Sequence, residues 1–188
     1  MKMIAFNGSH RTEGYTAQAL DIMLSVARSE GYEVERIELT NLNIGYCKGC
    51  KECDNRVGCT QRDDMDGVYE KLTEADHIII GSPIYMGSET GATKCFLDRL
   101  YALLEPKEDG GFSCRLPSGK SYTVVLVCSS SDGHIVYHYL TNRFMRIMMG
   151  LLGADDFAAF IVPATSKLEN IKESTVFREN LDSFRYRL

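Results

Sequence analysis

The 188-residue chain has no tryptophan, only 4 prolines and no long run of basic residues. Lys and Arg number 21 against 26 Asp and Glu, a net charge of −5. An acidic chain without a basic stripe gives a phosphate backbone little to bind, which argues against a nucleic-acid partner. No apolar run approaches the roughly 20 residues of a membrane span. The start, Met1-Lys2-Met3-Ile4-Ala5-Phe6-Asn7, turns polar too soon for the apolar region of a secretion signal. The 7 cysteines, about 4% of the chain, are too few and odd in number for a disulfide scaffold. The expectation is a cytoplasmic protein with reduced thiols and no membrane partner, in which clustered cysteines are candidate metal ligands.

What is present is an ordinary globular composition, 44% hydrophobic and 25% charged. The length suits one domain spanning residues 1–188. Strand-like and helix-like segments alternate. Met3 to Phe6 is a short apolar run; from about Thr16, Leu20, Met23, Leu24 and Ala27 form one helical stripe that Gly31 ends. Val34 to Leu39 predicts a second strand, and Asp63 or Asp64 can cap a helix carrying Val68 and Leu72. Ile78-Ile79-Ile80 and Val124-Val125-Leu126-Val127 lack polar alternation, as strands covered on both faces require. Helices are predicted over Gly91 to Leu104 and Tyr137 to Leu151, a last strand over Phe157 to Val162, then a polar C-terminal helix. This alternation implies a parallel α/β sheet. Residues 43–62 and 105–120 read as the long irregular segments, the kind that carry function.

In such sheets ligands bind beyond the carboxyl ends of the strands. The loop after the first strand, Gly8-Ser9-His10-Arg11-Thr12-Glu13-Gly14-Tyr15-Thr16, lacks G-x-G-x-x-G spacing, so no dinucleotide fingerprint is present. Its hydroxyls, Arg11 and the helix start behind it suit a phosphate monoester; equally, Ser and Thr can simply cap the helix. The loop after the third strand, Gly81-Ser82-Pro83-Ile84-Tyr85-Met86-Gly87-Ser88, could lie along an aromatic ring system. Ser129-Ser130-Ser131-Asp132-Gly133 closes the same rim. The Gly-Ser-x-Arg…Thr loop with Gly-Ser-Pro-x-Tyr-x-Gly-Ser resembles the NADPH-dependent FMN reductase branch of the flavodoxin-like superfamily, over residues 1 to about 165. The resemblance implies FMN as cofactor. Its phosphate would be held by Ser9, Arg11, Thr16 and Ala17. Its ring would be covered by Pro83, Ile84, Tyr85, Met86 and Gly87, and its pyrimidine side approached by Ser129 and Ser130. It also implies a doubly wound five-stranded parallel sheet in the order 2-1-3-4-5.

Cys47, Cys50, Cys53 and Cys59 follow the pattern C-x2-C-x2-C-x5-C in the loop after the second strand. Thiolates so spaced ligate zinc or an iron–sulfur cluster. Zinc is more often gripped by two separated pairs, whereas the spaced corners of a four-iron cluster can be reached in turn from one run. Lys48, Lys51, Arg56 and Arg62 outnumber Glu52 and Asp54 and offset the charge of a thiolate-ligated cluster. This motif on an FMN-loop chain is similar to the archaeal and bacterial iron–sulfur flavoprotein family. The expected function is electron transfer from a one-electron donor such as reduced ferredoxin, through a 4Fe-4S cluster and FMN, to a small acceptor such as dioxygen or peroxide. The resemblance implies a homodimer or homotetramer with cluster and FMN across an interface. Two alternatives stand beside it: an NAD(P)H-dependent FMN, quinone or nitro reductase with structural cysteines, and a zinc-stabilised flavodoxin-like binding module. Cys95 and Cys128 read as buried bystanders, Cys114 as a loop thiol, and His134 and His138 as helix-face polarity rather than a metal pair. No arrangement for nucleophilic hydrolysis stands out, and no catalytic side chain is assigned.

Overall fold

The apolar runs fold where their pattern puts them. In the computed structural model, which describes residues 1–188, β1 (Lys2–Asn7) leads into α1 (Tyr15–Ser29) and β2 (Glu33–Glu38). Next come α2 (Met65–Glu74), β3 (His77–Tyr85), β4 (Ser88–Glu89) and α3 (Gly91–Arg99). The chain continues through β5 (Leu104–Pro106), β6 (Phe112–Cys114), β7 (Ser121–Val127), α4 (Gly133–Val136) and α5 (His138–Met148). It finishes with β8 (Asp156–Val162) and α6 (Thr175–Arg185).

Five strands pair in parallel in the order β2-β1-β3-β7-β8. Counting these strands alone, this is the expected flavodoxin-like order 2-1-3-4-5. Chain direction across the sheet reverses between β1 and β3, which creates a crevice at their carboxyl ends. The central strands are enclosed on both faces: Ile78, Ile79 and Ile80 expose at most 1% of their surface. One face packs on α1 and α6, through Leu20, Met23, Phe177 and Phe184. The other packs on α2, α3 and α5, through Val68, Leu72, Phe96, Leu140 and Phe144. Each fully buried Leu, Ile or Phe contributes roughly 1.5–3 kcal/mol, so the two layers hold the rim rigid.

Three segments depart from the sequence reading. The segment expected as a loop over 81–88 is largely strand: β3 runs on to Tyr85, and β4 pairs back against it, Ile84 opposite Glu89 and Tyr85 opposite Ser88. Met86 (φ 49°) and Gly87 (φ 82°) form the two-residue turn, whose left-handed backbone suits a hairpin. The segment 105–120 contains the β5–β6 hairpin. The helix expected over Tyr137 to Leu151 is α5, and a short helix that was not expected, α4, precedes it in the segment read as a loop after the fourth strand. The residues between Leu42 and Met65, carrying the four cysteines, include only one short helical turn, Glu52–Asp54.

Candidate functional site

At the crevice the ends of β1 and β3 are joined to α3 by buried hydroxyls. Thr90 Oγ1 donates to the Gly8 carbonyl at 2.7 Å, Thr93 Oγ1 donates to Ser82 Oγ at 3.2 Å, and the Thr90 amide donates to Ser82 Oγ at 3.0 Å. Beside this knot, Asn7 Oδ1 accepts the Ser9 amide at 3.1 Å and Ser9 Oγ accepts the Arg11 amide at 3.1 Å. The loop therefore curls ahead of α1. The helix begins at Gly14 without a side-chain cap, leaving the first-turn amides of Tyr15, Thr16 and Ala17 free of intrahelical partners. Uncapped amides at a positive helix end, next to a guanidinium, form an anion cradle.

A cavity of about 560 Å³ opens there. Of the residues expected to hold FMN, Ser9, Arg11, Thr16, Pro83, Ile84, Tyr85 and Ser129 line it. The volume falls in the range of cofactor sites. Ala17 lies behind the wall, fully buried in the first turn of α1. Met86 stands fully exposed at the hairpin tip, and Gly87 and Ser130 lie outside the lining. Sequence reading missed other wall residues. Tyr15 and Gln18 come from α1, and Thr165 and Glu169 from the segment after β8. Cys128, read as a buried bystander, is indeed buried but faces this cavity, and burial pushes its thiol up. The segment after β8 reaches the rim because β8 is parallel to β7 and ends at the same edge. That signal was available from the topology.

The four clustered cysteines are all unpaired thiols. They line a second cavity of about 450 Å³ together with Lys48, Lys51, Gln61, Arg99 and Tyr101. Gly49 (φ 64°), Lys51 (φ 61°) and Gly58 (φ 82°) take left-handed backbone there, which folds the loop tightly. The Gln61 amide donates to Cys59 Sγ at 3.4 Å. Cys53 is buried, which raises its thiol. No three His, Cys, Asp or Glu side chains converge on one ion position. Soft thiolate donors spaced around a cavity suit a body with several corners. The two cavities share no lining residue.

Behind the cysteine cavity, Asp63 is not simply a helix cap. Its Oδ1 accepts the Met65 amide at 3.1 Å, but the carboxylate also pairs with Arg99 from α3. Asp64 takes the N-cap position of α2 and makes no side-chain cap bond. Burial alone would raise the Asp63 carboxyl. Hydrogen bonds from Arg99, Gly45 and Met65 outweigh it and hold the group below the usual carboxylate range. Elsewhere, His134 and His138 fall on separate helices, and His138 Nδ1 lies 2.7 Å from the Ile135 carbonyl. Cys95 and Cys114 are half-buried, and burial pushes both thiols up.

Comparison with known proteins agrees with this geometry. The family described as NADPH-dependent FMN reductase matches residues 1–159. An iron–sulfur flavoprotein of Archaeoglobus fulgidus is 37% identical over 100 residues, 53% of this chain and 46% of the relative. The matched stretch thus spans about half of that relative's length. A second iron–sulfur flavoprotein of the same organism is 26% identical over 178 residues, 91% of this chain and 87% of the relative. Among solved structures, an NAD(P)H:quinone oxidoreductase from Methanothermobacter marburgensis superposes with a TM-score of 0.74 at 13% identity, covering 99% of this chain and 96% of that one. That likeness concerns the fold. With the crevice at the β1–β3 switch and the match over residues 1–159, the chain belongs to the NADPH-dependent FMN reductase family.

Proposed function

We propose that the chain is an FMN-dependent oxidoreductase of the electron-transfer kind, an iron–sulfur flavoprotein that takes electrons singly and delivers them to a small acceptor. The observation that carries this reading is the gathering of Cys47, Cys50, Cys53 and Cys59 around one cavity on a chain that also has a flavin-sized cavity at the switch point. A 4Fe-4S cluster supplies one-electron steps and FMN one- or two-electron steps, so together they link the two kinds of chemistry. Within this reading the chain's residues divide the work. Arg11, Ser9 and the α1 amides, including that of Ala17, bind the FMN phosphate. The Pro83–Tyr85 strand and the Met86–Gly87 turn flank the ring, and Ser129 and Ser130 meet its polar edge. The four thiolates hold the cluster. A ferredoxin-like protein is the one-electron donor, and dioxygen or peroxide is a fitting acceptor.

The cavities' separate walls support electron passage between subunits of a homodimer or homotetramer. The exposed apolar side chains Ile135, Val136, Tyr139, Met145 and Met149 on and beside α4 and α5 support such an assembly. A cytoplasmic setting fits reduced thiols. A single zinc ion draws less support, because zinc is more often gripped by two separated ligand pairs, whereas these four cysteines come from one run. A second reading rests on the family match itself: an NAD(P)H-dependent FMN, quinone or nitro reductase whose cysteines are structural.

Anaerobic purification separates the readings. Protein carrying iron, acid-labile sulfide and FMN together is the expected result, and Cys50→Ala should lose the iron while retaining FMN. Yellow, iron-free protein that oxidises NADPH rapidly would establish the second reading instead. Iron unchanged in Cys50→Ala would remove that cysteine from the ligand set.

A further inference from the structure

Between the cysteine cavity and α3 lies a charged pair placed to control the loop. The Arg99 side chain is 1% exposed and that of Asp63 is 9% exposed. Arg99 Nη1 donates to Asp63 Oδ2 at 2.5 Å and Nη2 donates to Oδ1 at 3.0 Å, a two-pronged fork. The same Nη1 donates to the Gly45 carbonyl at 2.8 Å, and the Gly45 amide donates to Asp63 Oδ2 at 3.0 Å. Gly45 precedes Cys47 and Asp63 follows Cys59, so one guanidinium–carboxylate pair ties both ends of the cysteine segment. Tyr69 of α2 donates its hydroxyl to the Arg99 main-chain carbonyl at 2.8 Å.

Stability alone is a weak reason for such a pair, since apolar replacements of buried ion pairs are often neutral. Two further facts point toward the cavity. Arg99 forms part of its wall beside the four cysteines. Its Nε is buried with no acceptor, and a bare donor is costly unless an anionic or acceptor group comes within reach. A group held by four thiolates is such an anion.

We propose that Arg99, oriented by Asp63, is the positioning residue of the cysteine cavity, clamping both ends of the ligand-bearing loop and presenting its charge to the anionic group the thiolates hold. The proposal rests on reading the four cysteines as cluster ligands. Ligand geometry and net charge near a cluster set its retention and its potential, so the two halves of the proposal are measurable separately.

The experiment compares native protein with Arg99→Gln, Arg99→Lys and Asp63→Asn in the full chain, purified anaerobically. It reads the rate of iron loss to a chelator, the midpoint potential of the iron chromophore, and tryptic cleavage at Lys48, Lys51, Arg56 and Arg62 in metal-free protein. Arg99→Gln should release iron about tenfold faster, in line with the usual effect of losing a supporting residue. It should also open the loop to trypsin and lower the potential, because reduction then adds negative charge beside an uncompensated Asp63. Asp63→Asn should raise the potential, because the guanidinium loses its counter-charge. Arg99→Lys should bring the potential back toward native while the loop stays trypsin-sensitive, since one ammonium cannot form the fork. Loosening the loop alone would not move the two potentials in opposite directions. Potentials that move the same way, or variants indistinguishable from native protein, would overturn the proposal while leaving the cluster reading intact. If Arg99→Gln does not fold, Asp63→Asn decides: a potential at or below the native value overturns the proposal. Native protein without iron would overturn the cluster reading, and the proposal with it.

Discussion

His77 is an example of burial turning one side chain into a pH response. It opens β3, exposes 2% of its surface, and its Nε2 lies 2.9 Å from Thr123 Oγ1, an apt partner for a neutral ring. Burial drives its pKa from 6.5 down to about 4, against a smaller opposing pull from Asp156. The unfolded chain thus binds this proton more readily than the folded one. Stability is fully present above pH 6.5 and is lost as the pH falls toward 4, by about 3 kcal/mol. Urea midpoints followed from pH 7.5 to 4 should show this slope in native protein and a flatter one in His77→Gln; equal slopes would refute it. Legibility at this scale was uneven. The cysteine spacing identifies its four residues because the pattern is local. Arg99 ends α3 two residues after Leu97, and no local pattern marks it for a role. Only the approach of residues 45 and 63 from elsewhere in the chain gives it a buried role.

Elements meet closely at the switch point, and two glycines permit it. A Cβ on Gly8 would lie 1.8 Å from Thr93 Oγ1, and one on Gly81 would lie 2.8 Å from Leu20 Cδ1 and 2.9 Å from Thr16 Cγ2. Gly8→Ala should therefore cost about 1–3 kcal/mol by forcing β1 away from α3, and FMN retention should fall with it because Ser9 and Arg11 follow directly. Adding Thr93→Ala removes the clashing hydroxyl and should recover part of the loss. A chemical-denaturation cycle over the four proteins tests this, and strict additivity would sink the explanation. The periodic elements were readable because burial on a two-sided sheet writes itself into unbroken apolar runs such as Ile78-Ile79-Ile80. The β3–β4 hairpin was misread because Pro83, Gly87 and Ser88 signal a loop. Its register depends on Tyr85 facing Ser88 around a left-handed Met86, which no local preference announces.

For the molecule as a whole, the exposed apolar side chains on and near α4 and α5 form the feature most in need of a partner surface. Ile135 is 64% exposed and Met149 47%. Tyr139 of α5 donates its hydroxyl to the Gly87 carbonyl, linking this helix to the β3–β4 hairpin. Sedimentation should find two or more chains per particle, and Ile135→Glu with Met149→Glu should shift the mass toward one. A native particle of single-chain mass would discard the assembly. The sequence by itself determined the order of strands and helices, the two-sided core and the cysteine spacing, because each is a local pattern of burial or of ligand reach. Tertiary structure alone decided which loops share a cavity and that Arg99 and Asp63 close the cysteine loop. Those contacts join residues far apart in the chain, and their energy exists only once the sheet has brought them together.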